Sequence, residues 1–313
     1  MCFDFEIINW YSYNKRDLPW RETKDPYFIW LSEIILQQTR IDQGLDYYNK
    51  FARNFPDIHS LANASEDEVL KLWQGLGYYT RARNLHHTAI YISKELKGAF
   101  PNEFSEIIKL KGIGRYTASA IASFAFDQKH PVLDGNVSRI ITRFYGIETP
   151  IDSKKGETEI YEILDELISN NNPSLFNQAI MEFGALQCKP HHPNCINCPL
   201  VSNCIAYQKK TVERLPYKEK KIKQTNRYFN YLIIKNNSHI LLNKRKESDI
   251  WKNLFEFPLI ETDEIENIDA FHEKLLTQTD FQNTEIKIEH ISKIFIHKLT
   301  HQKIQARFIH LNF

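Results

Sequence analysis

The chain has 313 residues, 42% of them hydrophobic, which is enough for a sizeable core and above the usual range of a single domain. Its formal net charge of +1 excludes a uniformly basic body, so any surface for nucleic acid has to be a local patch. No run of eighteen apolar residues occurs, and the first residues lack an apolar stretch ending in a small-residue cleavage site. The expectation is a soluble protein of the cytoplasm with no membrane partner.

Up to about residue 187 the apolar residues recur mostly at helical spacing, as in Phe28, Leu31, Ile34 and Ile35, and again in Ile107, Ile108 and Leu110. Short polar or Gly/Pro-containing joints separate these runs, which predicts many short helices and no strand ladder. Residues 1–205 carry 21 Lys+Arg against 25 Asp+Glu, so a DNA surface here is a patch on an acidic body.

The first notable segment is Leu18-Pro19-Trp20-Arg21, followed by the run from Trp30 through Glu33 to Gln37, Gln38 and Thr39. Taken alone, Glu33 reads as a solvent-facing residue of an amphipathic helix. Its neighbours Ile29, Trp30, Ile34 and Leu36 leave little polar face, however, and a desolvated carboxyl has a raised pKa and holds a proton to donate. Gly75-Leu76-Gly77-Tyr78-Tyr79 then leads into Arg81-Ala82-Arg83. Here Tyr78 reads equally as a core aromatic, and Arg81 and Arg83 as a solvated face.

Leu110-Lys111-Gly112-Ile113-Gly114-Arg115-Tyr116 places two glycines before a small-residue helix. That spacing permits a tight turn whose N–H groups point outward at a helix start, suited to a phosphate oxygen. Lys109, Lys111 and Arg115 add positive charge. A plain helix–turn–helix joint is the other reading. Twenty residues after Gly114 stands Asp134, in Leu133-Asp134-Gly135-Asn136-Val137. An aspartate before a helical run is most simply an N-cap. The functional and the capping reading differ in whether the carboxylate faces a cavity.

Phe176-Asn177-Gln178-Ala179 precedes the four-cysteine run Cys188, Cys195, Cys198 and Cys204; a fifth cysteine, Cys2, stands alone. Four thiols within seventeen residues favour metal ligation over a disulfide framework. Zinc and iron–sulfur clusters both accept four thiolates, and the residue count does not choose between them. With every ligand supplied, no coordination position is open to a substrate, so the loop reads as structural. From Lys209 to Lys223 the chain is strongly basic, which reads as a solvated linker. Beyond it the period changes. Tyr228–Ile234, Ile240–Leu242, Ile291–Ile296 and Ile304–Leu311 predict strands, and Ala270–Leu276 a helix, giving a smaller α+β domain.

These motifs, in this order, resemble those of the helix–hairpin–helix DNA glycosylases of the endonuclease III superfamily, over roughly residues 1–205. The segment Trp30–Thr39 resembles more narrowly that of the MutY-type adenine DNA glycosylases, as do Leu18–Arg21, Gly75–Tyr79 and Phe176–Ala179. Ile250–Pro258 is similar to part of the Nudix-like domain such enzymes carry, although the acidic Mg²⁺-binding Nudix helix does not follow Pro258. His297-Lys298-Leu299-Thr300-His301 resembles the family's loop for 8-oxoguanine, with Leu299 in place of Phe. The fold implied is mostly α. A helix–hairpin–helix glycosylase domain spans 1–205 with an iron–sulfur loop at 188–204, a basic linker spans 206–226, and a Nudix-like domain spans 227–313.

The resemblance implies a monomeric, monofunctional enzyme of base excision repair, removing adenine opposite 8-oxoguanine or guanine in double-stranded DNA. It implies Glu33 as the acid and Asp134 as the anion beside the sugar, with Tyr116 and Asn136 orienting them. Trp20, Arg21 and Gln178 are implied at the adenine. Gln37, Gln38, Thr39 and Tyr78 are implied where the duplex is wedged open, and Thr300 and His301 at 8-oxoguanine. The hairpin residues Lys111, Gly112, Gly114 and Arg115 are implied at the DNA backbone, and the four cysteines at a [4Fe-4S] cluster. In members that also cleave the strand, a lysine forming a Schiff base follows the hairpin Gly-Arg. Here that residue is Tyr116. The competing readings are an endonuclease III-like lyase, a Nudix hydrolase and a non-catalytic DNA-binding module.

Overall fold

The computed structural model describes residues 3–219, 224–236, 238–246, 249–277 and 287–312. Cys2 and the basic residues Lys220, Lys221 and Lys223 lie outside these. The described residues divide into two compact units, Met1–Glu219 and Lys220–Phe313.

The first unit is helical throughout its described residues, from α1 (Phe3–Asn14) and α2 (Pro26–Leu36) through α3 (Ile41–Asn54), α4 (Ile58–Asn63), α5 (Glu66–Trp73) and α6 (Thr80–Lys94). It continues through α7 (Phe104–Ile107), α8 (Arg115–Phe126), α9 (Gly135–Tyr145), α10 (Lys154–Ser169), α11 (Pro173–Leu186) and α12 (Ile205–Gln208). The helix starts are written locally. Asp25 caps α2 ahead of Pro26, Ser65 and Glu68 form a reciprocal capping box on α5, and Asn172 caps α11 ahead of Pro173. Each fills orphan N–H groups that a first helical turn leaves open. Gly146, at φ +68°, ends α9 in the left-handed conformation that costs glycine least.

Two hydrophobic clusters fill this unit. Trp30, Leu31, Phe51 and Trp73 anchor one, built around α2 to α6; Ile7, Ile141, Phe176 and Phe183 anchor the other, built around α1, α9, α10 and α11. Helix α8 serves both: Ala118, Ile121 and Ala122 face the first cluster and Ala120 the second. Its run of small residues lets helices approach from two sides, and a cavity opens along this seam.

The second unit is a mixed sheet with one helix. Strand β1 (Thr225–Asn236) is central, pairing antiparallel with β2 (His239–Ile240) and β5 (Leu259–Thr262) and parallel with β8 (Gln302–Asn312). A separate pair joins β3 (Asn243–Lys244) to β4 (Phe255–Glu256). Along β8 run β6 (Lys287–Ile291) and β7 (Phe295–Lys298), both antiparallel. Helix α13 (Ile268–Thr277) packs on the sheet through Phe271 and Leu275.

Two expectations change. The strand expected over Ile291–Ile296 is divided, because at Ser292 the ladder is interrupted. The Ser292 N–H donates to Phe308 O at 2.9 Å and its hydroxyl accepts from Phe308 N at 2.9 Å, so a side chain replaces the ladder partner. The basic run expected as a solvated linker from residue 206 instead packs on the helical unit as far as Glu219. Leu215 is buried there, Arg143 Nε donates to its carbonyl at 3.0 Å, and Ile151 N donates to Tyr217 O at 3.0 Å. Arg227 lies in β1 and pairs with Asp249 and Glu261. Counting charge located the basic run but missed the apolar Leu215 that ties it down.

Candidate active site

A cavity of about 210 Å³ opens along the seam. Its walls bring Leu18, Trp20 and Arg21 to Glu33 and Leu36 of α2, Thr39, Tyr116 and Phe124 of α8, Asp134 and Asn136 at the start of α9, and Gln178 and Met181 of α11. Eight of the residues singled out from sequence therefore meet in one place although they span 158 positions (Trp20 to Gln178).

Helix α2 is buried on nearly all sides, from Tyr27 through Ile35, so its single acid has no solvated face to turn to. Glu33 is 8% exposed. Burial pushes its carboxyl up to about 7, with the Asp134 charge adding to the rise and the Tyr116 hydroxyl and Arg21 opposing it. Tyr116 is raised in turn by burial and by the two carboxylates, so it stays a neutral donor. Its hydroxyl also lies 4.0 Å from Met181 Sδ.

Asp134 is treated in the opposite way. Oδ1 accepts from the backbone N–H groups of Asn136 and Val137, each at 2.8 Å, and Oδ2 accepts from Asn136 Nδ2 at 2.8 Å. Three donors converge on its carboxylate at the positive end of α9. The residue is thus the N-cap of α9 and a wall of the cavity at once, so the two sequence readings are compatible.

Behind these residues stands a second set that sequence inspection passed over. Arg139 Nη2 donates to Asn136 Oδ1 at 2.8 Å and to Gly184 O at 2.7 Å, while its Nε donates to Cys188 O at 2.7 Å. One turn later Arg143 reaches Lys189 O at 2.7 Å, Pro190 O at 3.0 Å and Cys188 Sγ at 3.5 Å. Glu182, 1% exposed, accepts from Arg16 Nη2 at 2.7 Å and from Arg21 Nη2 at 2.8 Å. Burial alone would raise its pKa, but these bonds outweigh that and hold the carboxyl at about 2. Arg21 Cζ also lies 5.6 Å from the Tyr11 ring centroid, and the Tyr11 hydroxyl donates to Gln178 Oε1 at 3.0 Å. The available signal was charge at i, i+4 on an apolar helix: Arg139 and Arg143 both sit on the buried face of α9.

The remaining predicted residues fall elsewhere. Gln37, Gln38 and Tyr78 do not line the cavity; they stand on adjoining turns, where Gln38 has φ +56° and the half-exposed Tyr78 has φ +46°. In the hairpin, Leu110 and Ile113 are buried while Lys111 and Arg115 are exposed, and Gly112 has φ +81°. A Cβ at Gly112 would come 2.7 Å from Asn84 Cβ, whereas the space around Gly114 is open, so a ligand can reach the backbone there. Lys109 pairs with Glu106 at 2.6 Å, which removes one cation from the patch expected there. Cys188, Cys195, Cys198 and Cys204 line one small cavity beside Arg143, Val201 and Tyr207. Burial pushes Cys195 and Cys204 up, and Cys198 up to about 12. In the second unit Thr300 and His301 are exposed on the β7–β8 turn, while Leu299 packs against the cluster that includes Phe229 and Tyr231.

The comparisons with known proteins agree with this geometry. Residues 31–168 match the HhH-GPD superfamily base excision DNA repair protein family, and residues 230–313 match the NUDIX domain family. The adenine DNA glycosylase of Buchnera aphidicola subsp. Acyrthosiphon pisum is 44% identical over 253 residues, covering 80% of this chain and 72% of that one. Its counterpart from Buchnera aphidicola subsp. Baizongia pistaciae is 40% identical over 305 residues, 96% of this chain and 83% of the relative. The mouse (Mus musculus) adenine DNA glycosylase is 41% identical over 217 residues, covering 66% of this chain and 42% of its own length. Among solved structures, a thermostable thymine-DNA glycosylase superposes with TM-score 0.62 at 28% identity, covering 66% of this chain and 95% of that one. A non-covalent endonuclease III–DNA complex has the same fold at TM-score 0.56 and 20% identity, over 66% of this chain and 94% of the other. No helix among the described residues is long and apolar enough to cross a membrane. A helix–hairpin–helix unit with paired carboxyls in one cavity, a Nudix-like second unit and relatives matched over most of their length lead to one conclusion: the chain belongs to the adenine DNA glycosylases, DNA N-glycosylases of base excision repair.

Proposed function

We propose that the enzyme excises adenine mispaired with 8-oxoguanine or guanine in duplex DNA and leaves the strand uncut. The observation that carries this reading is the contrast within one cavity between a desolvated Glu33, with a pKa of about 7, and an Asp134 saturated with donors. A buried carboxyl that holds its proton near neutral pH can serve as the acid, and a second carboxyl held by three donors can face the charge that develops on the sugar. Breaking an N-glycosidic bond needs both, as in glycoside hydrolysis.

Adenine first leaves the stack, at a cost of about a few kcal/mol. Trp20, Arg21 and Gln178 receive it, Arg21 held by Glu182 and Gln178 by Tyr11. Glu33 gives its proton to N7, the bond from N9 to the sugar breaks with its electron pair going to the base, and Asp134 stabilises the oxocarbenium-like sugar or briefly bonds to it. Tyr116 and Asn136 hold the two carboxyls, and water completes the substitution. Tyr116 carries no amine, so no Schiff base forms at that position. All of these groups come from one chain, which fits action as a monomer. Gly112, Gly114, Lys111 and Arg115 are assigned to a phosphate, and the turn bearing Thr300 and His301 to 8-oxoguanine. For the domains, the reading keeps a glycosylase domain and a Nudix-like recognition domain joined by the basic segment, and places the enzyme on cytoplasmic DNA.

The donor set of the cysteine cavity suits a [4Fe-4S] cluster. All four thiols line one space, and the resemblance of their spacing to the superfamily's cluster loop favours the cluster over zinc. A cubane takes one thiolate per iron, and its ligands stand farther apart than the four around one zinc. Ligation replaces each thiol proton with metal charge, which is how a thiol as buried as Cys198 becomes a thiolate. The group's contribution is structural: it closes the loop that Arg139 and Arg143 hold.

The test is single-turnover excision on one duplex in which only the base opposite adenine varies, with a visible absorption spectrum of the same sample. Fastest release opposite 8-oxoguanine, slower release opposite guanine, no strand cleavage and a broad iron–sulfur band are expected. Excision indifferent to the opposite base would remove the specificity claim, and trapping of an imine by borohydride would remove monofunctionality.

A further inference from the structure

Arg81 follows the turn that carries Tyr78, and its surroundings are unusual for a guanidinium. Nη1 donates to Ile34 O at 3.1 Å, Ile35 O at 3.2 Å and Gln37 O, and Nη2 donates to Leu76 O at 3.2 Å and Gly77 O at 3.4 Å. The cation also lies 5.1 Å from the Trp73 ring centroid and 5.7 Å from that of Tyr78. Among the described residues no carboxylate pairs with it, and burial lowers its pKa to about 10. A half-buried cation held only by carbonyls and rings is expensive to keep, because nothing neutralises its charge.

The positions of those carbonyls suggest what is gained. Ile34 and Ile35 belong to the last turn of α2, whose C=O groups have no helical partner. Gln37 O is the carbonyl of the peptide that enters Gln38, and Gly77 O that of the peptide that enters Tyr78. Both following residues are non-glycine residues with positive φ, +56° and +46°. Such a conformation is strained and persists only where its surroundings over-determine it. One planar fork, reaching both turns, fixes the two peptide planes that aim Gln38 and Tyr78. Trp73 Nε1, donating to Gly77 O at 2.9 Å, supports the second plane from the other side.

We infer that Arg81 is a positioning residue that binds the 37–39 turn to the 75–79 turn and presets Gln38 and Tyr78 for opening the duplex. This rests on the reading, proposed above, that those residues wedge the base pair apart. Arg81 touches neither the base nor the cavity, so its effect belongs to extrusion and not to bond breaking.

The experiment compares excision from two duplexes of one sequence, with adenine either paired opposite 8-oxoguanine or left unpaired opposite an abasic position. Arg81→Lys keeps the charge and most of the stem over Trp73 but cannot span both turns. The ratio of its paired to its unpaired rate is expected to fall on the order of 10- to 100-fold below wild type, the loss typical of misplaced positioning groups. The pH midpoint set by Glu33 should stay in place. Tyr78→Ala, at an exposed position where folding is not at stake, should lower the same ratio, and the two changes together should lower it by less than their product. A normal ratio in Tyr78→Ala overturns the wedge reading and this inference with it. A lowered ratio in Tyr78→Ala, with Arg81→Lys slowing both duplexes equally, overturns the inference about Arg81 alone.

Discussion

The two faces of the cavity treat the same functional group in opposite ways. On the α2 side Glu33 stands buried in an apolar helix, and burial pushes its carboxyl up to about 7. On the α9 side Asp134 accepts two backbone N–H groups and one side-chain amide. In the proposed mechanism the acid is the desolvated carboxyl and its partner the one supplied with donors, a distinction that neither residue type nor sequence spacing carries.

The sharpest way to break this comparison is chemical. Glu33→Gln keeps the shape and removes the proton, and excision under single-turnover conditions is expected to fall about 10²- to 10⁴-fold, the range general acids supply. Retention of the wild-type rate with DNA binding intact would remove Glu33 from the mechanism. Asp134→Asn keeps the cap but removes the charge, and a loss on the order of 10²-fold or more is expected. Full activity there would return Asp134 to a purely capping role. In wild type the rate should decline as pH rises through about 7, where Glu33 gives up its proton. Replacing Arg21, one of the groups that lowers the Glu33 pKa, should move that midpoint upward, read from a pH profile of the single-turnover rate.

A smaller effect tests the same asymmetry through stability. The Glu33 carboxyl has an ordinary value of 4.5 and a folded value of about 7, so the native state holds the proton more tightly than the unfolded chain. Stability is therefore highest below about 4.5, falls as pH rises through about 7, and stays lower beyond. The interval corresponds to roughly 3 kcal/mol. Glu33→Gln resembles the protonated form at every pH. It should match wild type in denaturant midpoint near about pH 4 and exceed it near about pH 8. Parallel midpoints across that range would mean that the side chain is hydrated in the native state.

Much of this was readable in the chain. The helical period, the helix starts at Pro26 and Pro173, and the change of period near residue 225 follow from local rules that tertiary structure leaves alone. The cavity residues were legible as separate motifs because each sits at a helix start or in a short, unusual run. Their supports were less so. Arg139, Glu182 and Arg81 make contacts with residues between 3 and 166 positions away, and spacing along a single sequence does not reveal which of them meet. Arg81 in particular reads as a solvated face, since a cation whose partners are backbone carbonyls leaves no matching acid in the sequence. Leu215 was missed for the opposite reason: one apolar residue in a basic run is outvoted by its neighbours.

The mildest test separates the two tasks of Asp134. Oδ1 carries the capping bonds to Asn136 N and Val137 N, and Oδ2 is held by the Asn136 side chain. Asp134→Ser supplies one oxygen that can cap but has no charge, whereas Asp134→Ala supplies neither. Losing the cap costs about 1 kcal/mol, so Asp134→Ala should unfold at lower denaturant than Asp134→Ser by that amount. Both should be inactive in excision. If the two variants unfold together, Gly135 and the following turn find other acceptors for their N–H groups. If Asp134→Ser unfolds later yet stays inactive, the cap and the chemistry are separate uses of one side chain, and the fixed orientation that catalysis needs is a by-product of starting a helix.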